Sequence, residues 1–386
     1  MLVCMLVALL PLCLLFPPPQ EKPLEGCRRC NERGVVECKR HRGELLELEA
    51  QVDFCSTAAR CRDCAGALLL PCSRCDGGPD TAGMLARRDE IATWLKQEHQ
   101  LEKFLGKQLV YMETAHLQLA SDVEELRDGK KKISGHVLLH RVARDAEQSA
   151  ELIDRHFGAT SKDYRARMML WFWGSQQTHR QVMENFLGSG SAGDFKWLGR
   201  DPRFSVNCKD SSFQLRAPTL HSLGVHNAAH MLISNLFSEI WIGDMGGGWF
   251  DSGSAHWYEE KIFNRVDNYC IDELDFIATW ENGEWRAALR KYLSRPGEDA
   301  ILPRLLRQQT GAMMPRDHAL AWSFWDWLAT NHTTTLAPIL KGLKLRRPER
   351  ELFAEHLKMD VRQAETAWIE WVTATYPKKE PKRKRP

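Results

Sequence analysis

Eight of the 12 cysteines fall between Cys27 and Cys75, and most of them come in spaced pairs. Cys27-Arg-Arg-Cys30 is followed by Cys38-Lys-Arg-His41, then Cys61-Arg-Asp-Cys64 and Cys72-Ser-Arg-Cys75, with Cys55 outside the pairs. In both halves the second pair starts at the same offset from the first, so the segment is an internal repeat. Gly34, Gly66, Gly77 and Gly78 stand where the chain must turn tightly around sulfur. Such pairs suit a tetrahedral metal site, in which the ion folds a segment too small for a core of its own. A disulfide framework is the alternative if the chain is exported to an oxidising compartment, although adjacent C-x-x-C thiols make poor structural disulfides. The isolated Cys208 and Cys270 read as small buried hydrophobes.

These pairs resemble the cysteine-rich domain of DnaJ-type co-chaperones, in which C-x-x-C-x-G-x-G repeats form a long hairpin around two zinc ions. The resemblance covers residues 27–78, and several of the repeat's glycines are absent. It implies that Cys27, Cys30, Cys72 and Cys75 hold one zinc. It also implies that Cys38, His41, Cys61 and Cys64 hold another, with His41 in place of a thiolate. As a function it implies a hairpin that binds clients or partners, or a scaffold only. Between the inner pairs, Glu44 to Val52 alternates Leu and Glu, which suits a short connecting strand or helix.

A second stretch, Leu223 to Glu259, carries a different chemistry. His226 and His230 are four residues apart and share one helical face, with Leu232, Leu236 and Phe237 available for burial. Zinc proteases of the H-E-x-x-H type use two such imidazoles as ligands and a Glu after the first as general base. Here that position is Asn227, whose amide has no proton affinity near neutrality. Gly248-Trp-Phe-Asp-Ser-Gly-Ser-Ala-His-Trp-Tyr-Glu259 resembles the W-[LF]-x-E-G-x-A-E-[YF] segment of gluzincin, or peptidase MA-like, metallopeptidases, where the Glu before Gly is the third zinc ligand. The matching position is Ser252. Asp251 is one residue off on another helical azimuth, and His256 offers a nitrogen one turn further on roughly the same face.

The rest of the chain sets these stretches in an α+β order. With 386 residues, 43% hydrophobic and 27% charged, the chain is long enough for a substantial core and more than one domain. Its net charge of +2 excludes an overall electrostatic case for nucleic acid. The dense basic run is the tail from Lys378 to Arg385, a solvated end, with contact to an anionic surface as the alternative. Met1 to Phe16 is an apolar run closed by three prolines, short of the roughly 20 residues of a membrane span. It reads as the hydrophobic part of a signal peptide or an uncleaved anchor, within residues 1–20, and places the protein outside the cytoplasm or on a membrane. The residue before Cys13 is not small, which argues against lipidation.

A boundary follows Gly77 to Asp80. The periodicity predicts a helix over Thr81 to Leu105, a strand over Gln108 to Val123, and a helix over Val137 to Phe157. A strand over Arg167 to Trp173 and a helix over Gln176 to Leu187 follow, then a loop of small residues over Gly188 to Asp194 and an edge strand over Ser211 to Arg216. His116 reads as a strand residue rather than a ligand. Gly246 to Gly248 reads as a mobile turn that brings Trp249 and Phe250 to the His226 helix. The last third reads as helices over Gly283 to Leu293, Ile301 to Gln309, His318 to Thr330, Leu336 to Leu343, Glu349 to Leu357 and Val361 to Tyr376. Their tryptophans belong to the core. Glu113 to Asp122, Ala321 to Trp327 and Phe353 to Pro377 look like the first strand and the last two helices of peptidase MA-like domains, so that resemblance spans residues 108–377.

The expected architecture is therefore a zincin-like domain over residues 81–377, with an N-terminal mixed sheet and a helical C-terminal part. A small zinc-ribbon-like hairpin precedes it, and the basic tail over residues 378–386 follows it. The expected protein holds two structural zinc ions, with a third at the peptidase-like site in question. It binds a protein or peptide and does not hydrolyse it. The alternatives are an atypical hydrolase with His226, His230 and His256 on zinc and Glu259 or Asp251 as base, and a co-chaperone-like client binder.

Overall fold

The computed structural model describes residues 26–41, 44–75, 77–188, 191–266, 280–295 and 300–379. The apolar run at residues 1–16, Cys270 and most of the basic tail lie outside the described residues. The chain opens with β1 (Val35–Glu37), α1 (Glu44–Glu49), β2 (Phe54–Cys55), α2 (Ser56–Ala59) and β3 (Leu69–Pro71). Strands β1 and β3 form a short antiparallel ladder with Val36 opposite Leu70. The two arms meet closely at Gly34, where a Cβ would lie 2.1 Å from the backbone nitrogen of Gly78, and Gly34 has φ +78°. Only glycine allows both the backbone angle and the contact.

Helices α3 (Thr81–Leu95) and α4 (Gln100–Leu105) then lead to β4 (Val110–Glu113), β5 (Leu117–Ser121), β6 (Glu125–Asp128) and β7 (Lys131–Ser134). Next come α5 (Gly135–Phe157), β8 (Met168–Trp173), α6 (Gln176–Val182), β9 (Asp194–Trp197) and β10 (Arg203–Asn207). The main sheet is mixed, with six strands in the order β2-β4-β5-β8-β10-β9. Strand β8 pairs in parallel with β5 and β10, and the outer pairings are antiparallel. Side chains alternate across β8 with a period of two. Met168, Leu170 and Phe172 join the main core with Leu119, Phe204 and Val206. Trp171 and Trp173 face a second cluster with Leu101, Val182 and Met183. Both sheet faces are therefore covered.

On the main-core face lie α5, α7 (Ala217–Asn235), α8 (Gly248–Phe263) and, in turn, α11 (Pro315–Asn331), each packed on the one before. Between them in the chain run α9 (Trp285–Leu293) and α10 (Ile301–Leu305), and after them α12 (Leu336–Lys344), α13 (Glu349–Leu352) and α14 (Val361–Thr375). The N-terminus of α5 is capped by Ser134, whose hydroxyl accepts from the Val137 amide, and Gly158 in the left-handed region closes its end. Gly253 lets α8 lie against α11, since a Cβ there would sit 2.5 Å from the Ala321 carbonyl oxygen. Among the described residues no helix is long and apolar enough to cross a membrane.

Three sequence-predicted elements differ in the structure. The strand over Gln108 to Val123 is a hairpin, because Thr114 turns the chain: its amide donates to the Leu117 carbonyl and its hydroxyl accepts from the Leu117 amide. The helix over Thr81 to Leu105 breaks after Lys96, and the extended backbone at His99 lets its ring stack on Tyr111 with centroids 4.4 Å apart. The edge strand over Ser211 to Arg216 is a turn, held by the Asp210 side chain accepting from the Ser212 amide at 2.9 Å. On this side of the sheet the edge is β9, and the strand that leads toward α7 is β10.

Candidate metal centres

The β1–β3 ladder sets one group of four ligand residues at each of its ends. Cys27, Cys30, Cys72 and Cys75 converge at the outer end, and Cys38, His41, Cys61 and Cys64 at the inner end, with ligand atoms within 4.8 Å of one another in each group. The Sγ atoms of Cys27 and Cys72 are 3.8 Å apart, and those of Cys30 and Cys75 are 3.6 Å apart. An S–S edge of about 3.8 Å is what four sulfurs form around an ion at about 2.3 Å. His41 Nε2 lies 3.4 Å from Cys64 Sγ, and its Nδ1 pairs with Glu49 Oε2. A metal-ligating imidazole needs such a partner on its other nitrogen to fix its tautomer and direction.

The thiols within each group resist ionising together. A hydrogen bond with the Cys30 side chain and the backbone amides of Cys30 and Arg29 bring Cys27 down to about 7. Burial and the bonds to Cys30 and Cys72 push Cys75 up to about 12. In the inner group, burial opposes the charge on Cys61, but the Cys64 and Asp63 amides and the His41 ring bring it to about 6. Burial and the neighbouring Cys61 push Cys64 up to about 12. Several thiolates at these separations repel one another unless a cation sits among them. Both groups are thus suited to hold a metal ion, and the cysteines are free thiols among the described residues.

The predicted histidine helix is α7, which is buried on all sides from Ser222 to Asn235, with His226, Asn227 and His230 at zero exposure. It faces α8, whose residues from Gly248 to Glu259 are buried as well. His226 Nδ1 lies 3.1 Å from Glu259 Oε2, and His230 Nδ1 lies 3.1 Å from Asp251 Oδ1. An ionised carboxylate only accepts, so both Nδ1 atoms carry hydrogen. The Nε2 atoms of the two rings are 3.2 Å apart, a contact that closes when one ring holds a second proton or a cation lies beside them. Burial opposes the charge on Glu259, yet His226 and His256 hold its carboxyl down at about 2. Burial likewise opposes Asp251, which His230, Lys196 and Trp241 hold below the usual carboxylate range.

The structure brings His226, His256 and Glu259 into one group. His256 Nδ1 is 3.5 Å from Glu259 Oε2, and its ring centroid is 4.8 Å from that of His226. His230 adjoins His226 but turns to Asp251, which also accepts from Thr310 Oγ1 at 2.9 Å. Ser252, at the third-ligand position of the resembled motif, has its hydroxyl 2.6 Å from His318 Nδ1 on α11. Asn227 turns its amide back along its own helix and donates to the Leu223 carbonyl at 2.9 Å. Gly248, the first residue of α8, serves close packing, as a Cβ there would lie 2.5 Å from the Thr310 amide nitrogen.

One grouping escaped the sequence reading. Cys55, outside the pairs, lies with Glu49, His136 and His140. The available signal was His136-Val-Leu-Leu-His140, the same four-residue spacing as His226 and His230 at the start of an amphipathic helix. No protein-family model matches the chain, and no curated protein matches it either.

Proposed function

We propose that the protein is a zinc-scaffolded binding protein whose large domain is a peptidase MA-like fold that does not hydrolyse peptides. The observation that carries this reading is the closed α7–α8 site. His226, His230, His256, Asp251 and Glu259 are at most 1% exposed, and both carboxylates are engaged by histidines. A hydrolase needs an ion with an open position, a base and a path for substrate. The position of the base is Asn227, and its amide is bonded to the Leu223 carbonyl. Zinc in the two cysteine groups then folds the N-terminal segment, as their sulfur-rich tetrahedral ligand sets favour. The partner is a protein or peptide. The open edge of β9, a strand that ends on the 48% exposed Trp197, offers strand addition.

The test is hydrolysis of a mixed peptide library by the zinc-loaded full chain, read by mass spectrometry. The expected result is no cleavage above that of a buffer control. Zinc-dependent cleavage that His226→Ala abolishes would overturn the reading. The convergence of His226, His256 and Glu259 favours one second reading, an atypical metal site with Glu259 as a ligand. That reading predicts that His256→Ala loses one zinc per chain.

A further inference from the structure

Glu49 ends α1, Cys55 lies in β2 at the edge of the main sheet, and His136 and His140 occupy the first turns of α5. Their ligand atoms all lie within 4.8 Å of one another. His136 Nε2 is 3.0 Å from His140 Nε2, 3.3 Å from Cys55 Sγ and 3.6 Å from Glu49 Oε1. Tetrahedral N–N and N–S edges around zinc are about 3.3–3.6 Å, so the separations lie within a few tenths of an ångström of one shell. Glu49, Cys55 and His140 are buried, with at most 5% exposed. Among the described residues Glu49 Oε1 accepts no hydrogen bond, which leaves a buried carboxylate oxygen aimed at the group. Burial holds His136 and His140 down at about 4 and 3, so each neutral ring keeps a lone pair.

We infer that Glu49, Cys55, His136 and His140 bind one divalent ion of the zinc class, and that this ion clasps the cysteine segment to α5 and the main sheet. Two ligands come from the insert between the inner cysteine pairs and two from the helix at the heart of the large domain, so the ion joins what a flexible chain would leave separable. Four protein ligands without an open position are the mark of a structural site. The other oxygen of Glu49 pairs with His41 Nδ1, so one carboxylate orients a ligand of the inner group and belongs to this one. His136 also borders a cleft of about 1150 Å³ lined by Thr57, Asp122 and Lys209, which offers the ion an entry path.

The full chain is loaded with zinc, freed of loosely held ion and counted by elemental analysis beside His140→Ala and His140→Cys. One zinc fewer in His140→Ala, with the count restored in His140→Cys, is expected. Equal zinc in the wild type and a folded His140→Ala would overturn the site. Zinc-edge anomalous diffraction from wild-type crystals decides the matter even if His140→Ala does not fold. A peak among the four residues supports the site, and its absence overturns it. Peaks at the two cysteine groups are separate positions, so failure there is distinguishable.

Discussion

His116 stands at the entry to β5, with Nδ1 2.6 Å from Glu147 Oε1 and Nε2 3.4 Å from Asp154 Oδ2. Burial opposes its charge, but the two carboxylates outweigh it and raise its pKa above the ordinary value of 6.5. Its stabilisation is therefore fully present below the unfolded pKa and is lost as pH rises through the folded one. His116→Gln should cost about 1.5–3 kcal/mol at pH 6, the range for hydrogen bonds to charged groups, and less at pH 9. Urea melts at the two pH values check this, and an equal loss at both would contradict it. That Asn227 and Ser252 stand where the resembled motif has its base and its third ligand was legible in the sequence. The role of Cys55 was not, because its partners His136 and His140 are far away in sequence and only β2 docking on β4 brings them near. A second residue-level test follows from the Glu49–His41 pair. Glu49→Ala should weaken zinc at the inner group by about 10–100-fold, as loss of an outer-shell carboxylate does, and leave the Cys27 group unchanged. Competition against a chromogenic chelator reads both affinities, and an unaltered inner site would contradict the assignment.

Among the elements, α8 is the most constrained, buried from Gly248 to Glu259 between α7 and α11. Gly253→Ala would place a methyl 2.5 Å from the Ala321 carbonyl oxygen, so the helices must part. Overpacking of this kind costs about 1–3 kcal/mol, and a thermal melt showing no loss would contradict the close approach. Trp325 lies edge-on to Phe250, with centroids 4.5 Å apart, and stacks near Phe157, tying α11 to α8 and α5. Trp325→Ala should cost about 3–5 kcal/mol by urea melt, and a cost under 1 kcal/mol would contradict its place in the core. Long helices such as α5 and α14 were legible because an apolar stripe of period 3.6 and a capping residue mark them locally. The two-residue β2 and the turn over 211–216 were not. A strand that short has no periodicity, and the turn depends on a side chain, Asp210, just before the apolar pattern that suggested a strand.

Across the whole molecule the cysteine segment is not a separate bead, since β2 and α1 pack on the main sheet and α5 while the β1–β3 ladder carries the two cysteine groups outward. The α+β order with a mixed sheet was legible, whereas this interleaving was not, because it depends on long-range pairing that local pattern cannot specify. Metal removal should therefore act unevenly. After chelation, amides near Cys27 to His41 and Cys61 to Cys75 should exchange freely, while α5, α7, α8 and α11 keep their protection. Equal loosening throughout would contradict it. In the proposed reading zinc serves the fold at the cysteine groups and takes no part in chemistry between α7 and α8. Zinc per chain, measured by elemental analysis for the wild type and for His226→Gln/His230→Gln, tests it most directly. The same count in both is the predicted result, and a loss of one zinc in the double variant would contradict the claim.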